Sequence, residues 1–396
     1  MAARVNSWDA FKYHWRVWDL SGFRGPKTSS PWYIPYKVYT IVITILFPIY
    51  YPICFTVKSM LADNLNDFCE VIYIAMSVVT LNVKFLTLFI VRQKLLELGP
   101  ILKQLDARAK SDEEINVLQK GIDSANKCFL TVLQLFYSAF VTSQLMVIFS
   151  AERRLMYPAW YPFEYKASWT MFWIAYGYQT IGFLVQCTQA CSVDTYPQAY
   201  IRVLTAHMRA LSIRIQRIGF QTKSCDSPDT SHLTKAEMKH NYAELVSCIK
   251  DHKTIIELFS TIQKTLSGTS LAQFICTGLA QCTIGVYMLY VGFNLSIMLN
   301  MAVFFIAVTI ETLILCYYGD LFCQECEELS NAIYNCNWTV QSNKFKKALC
   351  TFLLRSQRLN VLMAGNWIPV KLPTFVMVSN LCYIKVGMAK KNNIIG

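Results

Sequence analysis

Residues 68–91 read FCEVIYIAMSVVTLNVKFLTLFIV, and Lys84 is the charge set deep within them. An α-helix rises about 1.5 Å per residue, so about 20 mostly apolar residues cross the hydrocarbon layer of a bilayer. This stretch is long enough. Working outward, six more stretches approach the same character: 38–55, 129–149, 169–193, 269–291, 298–318 and 372–389. The first of these carries Pro48 and Pro52, tolerable in lipid where neighbouring groups take up the freed carbonyls. The last has thirteen uncharged residues, 372–384, ahead of Lys385. The expectation is an all-α membrane protein with seven transmembrane helices.

Composition agrees. Of 396 residues, 54% are hydrophobic and 16% charged, against roughly 45–50% and about 25% in ordinary soluble domains. So few charges cannot cover a soluble protein of this size, which excludes a disordered tail protein and disfavours a cytosolic enzyme. The net charge of +12 does not point to nucleic acid, because no compact basic run with interleaved aromatics accompanies it. The fifteen cysteines lie mostly in apolar runs or in loops on the basic side, and Cys323-Gln-Glu-Cys326 is a single pair where structural zinc wants two. No metal or other cofactor is expected. The first residues lack the apolar core and cleavage site of a secretory signal, so the first span is expected to act as an uncleaved anchor.

Orientation follows from Lys and Arg. The tail 1–37 and the loops 92–128, 194–268 and 319–371 hold 29 of them, and the opposite side holds 7. Basic loops face the cytoplasm, which places the N-terminus inside and the C-terminus outside. A G-protein-coupled receptor has the reverse arrangement. The expected layout is a cytoplasmic tail 1–37, helices one to six over 38–318 and a cytoplasmic segment 319–371. The seventh helix follows at 372–389, and 390–396 lies outside. Within 194–268, residues 200–220 and 241–266 carry apolar residues at helical spacing, joined by a polar turn at 221–231. Residues 320–334 and 344–363 also read as helical. A cytoplasmic helical body is therefore expected below the membrane.

Catalytic motifs (HExxH, GxSxG, GxxxxGK[ST], GxGxxG) are absent, and Asp251-His252-Lys253 reads as a solvated face. Of the charges inside spans, Lys84 and Glu311 each lie about two turns from the inner boundary, within reach of it by snorkelling. The outer ends are different. Phe140, Ser143 and Gln144 close span three; Phe172, Trp173, Tyr176, Gln179 and Thr180 open span four; Met301, Phe304 and Phe305 open span six. Aromatic walls with a few polar groups are what a pocket for a small apolar molecule needs, and Phe140, Ser143, Phe172, Tyr176, Gln179 and Phe304 are the candidate contacts. Interface aromatics facing lipid would give the same residue types.

Several ordered runs carry a resemblance. They are Cys316-Tyr-Tyr-Gly319, Ala332-Ile-Tyr-Asn-Cys-Asn-Trp338, Phe345-Lys-Lys347, Arg355-Ser-Gln357, Leu362-Met-Ala-Gly365, Pro369-Val-Lys-Leu372 and Thr374-Phe375. In this order they resemble the C-terminal signature of the insect odorant receptors. Arg154-Leu-Met-Tyr-Pro-Ala-Trp-Tyr-Pro-Phe163 resembles that family's second outer loop, and 251–259 its cytoplasmic helix. The resemblance implies an odorant-binding subunit of a ligand-gated cation channel, assembled as a heterotetramer with a co-receptor subunit in the plasma membrane of olfactory neurons. It also implies an outer-half pocket, a seventh helix lining the pore, and Trp338, Phe345 and Phe375 as packing residues of the assembly anchor. Past Tyr383 the chain departs from the family, reading Ile-Lys-Val-Gly-Met-Ala-Lys-Lys, and an altered exon junction is expected there. Asn294-Leu-Ser296 fits the glycosylation pattern close to the membrane. The rival readings are a gustatory-type channel of the same architecture, a polytopic transporter, for which the inverted repeats are not seen, and an intramembrane acyltransferase or hydrolase.

Overall fold

The computed structural model describes residues 5–22, 24–26, 29–149, 154–220, 233–290, 295–358 and 360–380. A 3₁₀ turn at Ser7–Phe11 leads into α1 (Lys12–Leu20). The first long apolar helix is α2 (Tyr33–Thr44), continued by a π turn at Ile45–Tyr50 and by α3 (Tyr51–Met60). Pro48 sits in that π turn, where a missing N–H and a widened backbone accommodate each other. Next come α4 (Leu65–Leu96), α5 (Leu98–Asp106), α6 (Asp112–Ile148), α7 (Trp169–Gln216), α8 (Lys235–Tyr290), α9 (Leu295–Tyr334) and α10 (Asn343–Ser356). A two-strand hairpin pairs β1 (Met363–Ala364) with β2 (Ile368–Pro369), and residues 372–380 are again helical.

By length and composition alone, four helices among the described residues can cross a membrane: Tyr33–Met60, Asp67–Leu96, Asp112–Leu145 and Met301–Tyr334. Their outward faces leave Val38, Ile41, Ile90, Val141, Ile148 and Ile306 exposed, which is stable only against lipid. The first half of α7 and the last half of α8 are diluted by Gln179, Gln186, Gln189, Gln273, Thr277 and Gln281, all of them buried. At 48 and 56 residues, α7 and α8 span about 72 and about 84 Å at 1.5 Å per residue. That is more than twice the hydrocarbon thickness. The stretches 200–220 and 241–266 are thus continuations of two long helices rather than separate ones, and the turn 221–231 lies outside the described residues.

Two apolar cores dominate among the described residues, beside two small clusters around Phe129 and Leu118. The larger one joins α1, α4, α5 and the far halves of α7, α8 and α9 to α10. The smaller one, at the opposite end, joins α3, α4, α7 and the connection around Tyr157 to Ile284 and Met301. The expected N-terminal tail is packed into the larger core from Ser7 onward, because Phe11, Trp15 and Trp18 lie at helical spacing and close on Tyr196 at ring distances of 5.4, 6.1 and 4.9 Å. The Ser7 hydroxyl donates to Asp106 Oδ1 at 2.6 Å and lies 3.0 Å from His207 Nε2. Asp251-His252-Lys253 is likewise not a solvated face. Asp251 accepts from Arg108 at 3.0 Å and Arg214 at 2.8 Å, His252 is buried, and Lys253 alone stays out in water.

The helix expected over 344–363 stops at Ser356. Its continuation is taken by the hairpin, whose turn needs positive φ at Gly365 (60°) and Asn366 (61°). A side chain at Gly365 would also strike Leu271, 2.5 Å from an ideal Cβ, so glycine is required twice over.

Outside the membrane-spanning segments, burial pushes His14 down to about 3, His207 to about 3 with Arg214 adding to it, and His252 to about 4 with Arg355 adding to it. Each is depressed below its unfolded value near 6.5. The unfolded chain therefore binds protons first as pH falls, and stability drops from about pH 6.5 downward. The melting temperature of the detergent-solubilised protein should fall between about pH 6.5 and 5, and the slope should lessen in His207→Gln; an unchanged slope would contradict a neutral, buried His207.

Candidate functional site

Between the two cores lies a cavity of about 130 Å³ walled by five helices. Each contributes one helical stripe: Val78, Leu81 and Lys84 from α4, Phe136 and Ala139 from α6, Phe183, Gln186, Ala190 and Asp194 from α7, Gln273 and Thr277 from α8, and Phe304, Ala307, Val308 and Glu311 from α9. Spacings of three, four and seven residues put these side chains on single faces. The walls are apolar and aromatic. The volume is close to the roughly 150 Å³ that accommodates a benzene-sized molecule.

One end of the cavity is charged. Lys84 Nζ donates to Asp194, to Gln273 and, at 3.1 Å, to Glu311, so three other helices converge on one ammonium. The Lys84 and Asp194 side chains are each 7% exposed and Glu311 is 13% exposed. Lys84 does not snorkel to the boundary; it turns inward because its partners are there. Gln273 passes the network on, donating to Thr277 at 3.2 Å; the Thr277 and Thr312 hydroxyls are 2.9 Å apart, and Thr312 donates to the Val308 carbonyl at 3.2 Å. Beneath the cluster a smaller void of about 30 Å³ is lined by the same Lys84, Asp194, Gln273 and Glu311. The ion cluster is a partition between two hollows.

Toward the other end, residues 154–165 form a roof over the wall residue Phe183, whose ring lies 5.7 Å from that of Tyr157. Gln179 donates to the Tyr157 carbonyl at 2.8 Å and accepts from its N–H at 3.3 Å. The Ser143 and Tyr157 hydroxyls lie 3.1 Å apart, and Trp160 N–H donates to the Cys54 carbonyl at 3.0 Å. Of the six residues singled out from sequence, Phe304 lines the cavity. Phe140 stacks behind the wall residue Phe183 at 5.8 Å. Ser143 and Gln179 hold the roof. Phe172 and Tyr176 stack on each other at 6.0 Å above it, with the Tyr176 hydroxyl donating to Gln144. Phe345 is fully buried in the larger core, with Trp338 and Phe375 against it, all remote from the cavity. Asn294 lies outside the described residues. Missed as a set were Asp194, assigned to a loop, and Gln273; the signal was a polar residue on each of four interior faces at one depth, rather than aromatics at span ends.

The family model described as 7tm Odorant receptor matches residues 64–383. The chain belongs to the odorant receptor family. Odorant receptor 2a of Drosophila melanogaster is 35% identical over 386 residues, 96% of each chain, and Odorant receptor 19a of the same organism is 29% identical over 381 residues, 96% of this chain and 95% of that one. The solved insect olfactory receptor OR5 from Machilis hrabei superposes with a TM-score of 0.78 at 13% identity, covering 96% of each chain. Its complex with eugenol gives 0.80 at 12%, covering 96% of this chain and 97% of that one. This odorant receptor thus has the all-α, seven-transmembrane fold, and its membrane location follows from the family and its apolar helices.

Removing one member of a buried ion cluster strands the others, which costs about 3–5 kcal/mol, whereas neutralising all members costs far less. Lys84→Met should therefore lower the melting temperature sharply, and adding Asp194→Asn with Glu311→Gln should restore most of the loss. A triple variant no more stable than Lys84→Met would contradict the pairing.

Proposed function

We propose that this odorant receptor binds a small volatile, largely apolar molecule in the cavity between Phe304 and Lys84 and, with a co-receptor subunit, gates a cation channel. The observation that carries this reading is a largely apolar hollow, lined by Phe136, Phe183 and Phe304 and with a polar floor, inside a fold shared with a receptor solved with eugenol. Phe304 and Phe183 would touch the ligand, with Phe140 behind them. Ser143, Gln179, Phe172 and Tyr176 would act through the roof, which an entering molecule must pass or displace. Burial of apolar ligand surface gives about 25 cal/mol per Å², so affinity would come from the walls and orientation from the floor.

Gating requires the ligand to favour one arrangement of the helices over another. The cavity touches α4, α6, α7, α8 and α9 together, and the ion cluster ties four of these beneath it. A ligand that wedges the walls apart would reach the cluster through Phe304 and Glu311, one above the other on α9. The basic-loop count supports a cytoplasmic N-terminus and body. On that orientation 319–371, with Trp338 and Phe345, forms the assembly anchor, packed against Phe375 of the helix beginning at 372 that lines the pore, and Asn294 is the outer glycosylation candidate.

Whole-cell current during volatile application, with and without the co-receptor, tests the assignment. Current is expected only with the partner; second-messenger signalling without current contradicts it. Phe304→Ala and Phe183→Ala should shift the half-maximal odorant concentration by about tenfold or more at unchanged surface expression. Unshifted curves for both would move the ligand elsewhere.

A further inference from the structure

Beyond the ends of the apolar stretches, on the side of the larger core, α6, α7 and α9 enclose a second cavity of about 350 Å³. Arg202 stands in its wall. Its residue is only 7% exposed, yet among the described residues it forms no ion pair with any carboxylate. One terminal nitrogen donates to the Ser124 carbonyl, the guanidinium lies 3.5 Å from the centroid of the Tyr318 ring, and Nε has no hydrogen-bond partner. A buried cation without a counter-charge is expensive, and stacking on a ring offsets only part of that cost. Lys120 and Arg209 stand around the same cavity, and the acid there, Glu325, lies 3.9 Å from the largely exposed Arg209. Three cations thus face one carboxylate, and the buried one has no carboxylate partner among the described residues.

We infer that this cavity is a binding site for the phosphorylated headgroup of a membrane lipid in the leaflet at this end of the bundle. Guanidinium groups pair with phosphate through parallel N–H donors, and Arg202 stands in this wall with no carboxylate partner among the described residues. Depth selects the kind of headgroup. Arg202 lies nine residues past 193 and Lys120 nine before 129, about 13 Å along each helix at 1.5 Å per residue. The interfacial layer is about 5–8 Å thick on each side. A zwitterionic choline headgroup ends within that layer. A polyol ring bearing phosphomonoesters extends past it and carries the excess negative charge that three cations call for. With the headgroup seated, α6, α7 and α9 would be bridged by one anion at a level where they otherwise meet around a hollow.

The test uses the full-length receptor purified in detergent, titrated with dioctanoyl phosphatidylinositol bisphosphate, dioctanoyl phosphatidylcholine and soluble inositol trisphosphate. The bisphosphate lipid should bind in preference to the choline lipid, and better than the soluble headgroup. Lys120→Gln with Arg209→Gln, both changes remote from the odorant cavity, should weaken it about tenfold, and Arg202→Gln should abolish the preference. The rim pair decides the matter if Arg202→Gln fails to fold. Equal binding of the two lipids, or affinity unchanged in the rim pair, would overturn the site. Soluble inositol trisphosphate binding as tightly as the lipid would overturn its assignment to the membrane.

Discussion

A single ammonium inside the bilayer cannot be left alone, because its desolvation must be met by partners held in place around it. In this receptor the ammonium is Lys84, and meeting it requires Asp194, Gln273 and Glu311 from three other helices at one depth. That requirement fixes the rotation of α4, α7, α8 and α9 about their own axes. Once those rotations are set, Val78, Phe183 and Phe304 face a common space about two to three turns away. A hollow lies above the cluster and a smaller one below it, and both are lined by its members.

The two apolar cores then have distinct tasks. The larger core, with fully buried Phe11, Tyr196, Tyr200, Phe322 and Phe345, is continuous from the N-terminal helix to α10. The smaller core holds the roof by buried Leu155, Met156, Tyr157 and Tyr161 together with a few directed bonds, chiefly Gln179 to the main chain of Tyr157. Opening the roof would expose those side chains as well as break the bonds. The ion cluster also joins the cavity to the long segments of α7 and α8 beyond it, which are continuous with the cavity walls.

The helical, membrane-crossing fold was legible in hydropathy alone, since stretches such as 68–91 admit no other structure in lipid. The long continuations of α7 and α8 were visible as spaced apolar residues, but their continuity was not, because charged residues interrupt the pattern at the membrane boundary. The pocket was legible only at Phe304. Aromatics at span ends mark the roof as readily as the walls, and nothing local distinguishes Phe140, stacked behind the wall, from Phe183 in it. Asp194 was hidden by lying one residue beyond an apolar stretch, and Lys84 by being long enough to snorkel. Pairing across helices is a property of three-dimensional register that one sequence does not display. The helix end at Ser356 was missed because the competing hairpin rests on positive φ at two residues, Gly365 and Asn366.

The account depends on Lys84 acting with Asp194 as one unit beneath the cavity proposed to hold the ligand. A double-mutant cycle on odorant-evoked current measures this directly: Lys84→Gln, Asp194→Asn and both together, each scored by half-maximal concentration at matched surface expression. The account predicts that the double variant falls well short of the product of the two single effects, a coupling of about 1 kcal/mol or more. Effects that simply multiply would show two independent residues, and the partition between the hollows would have no part in sensing.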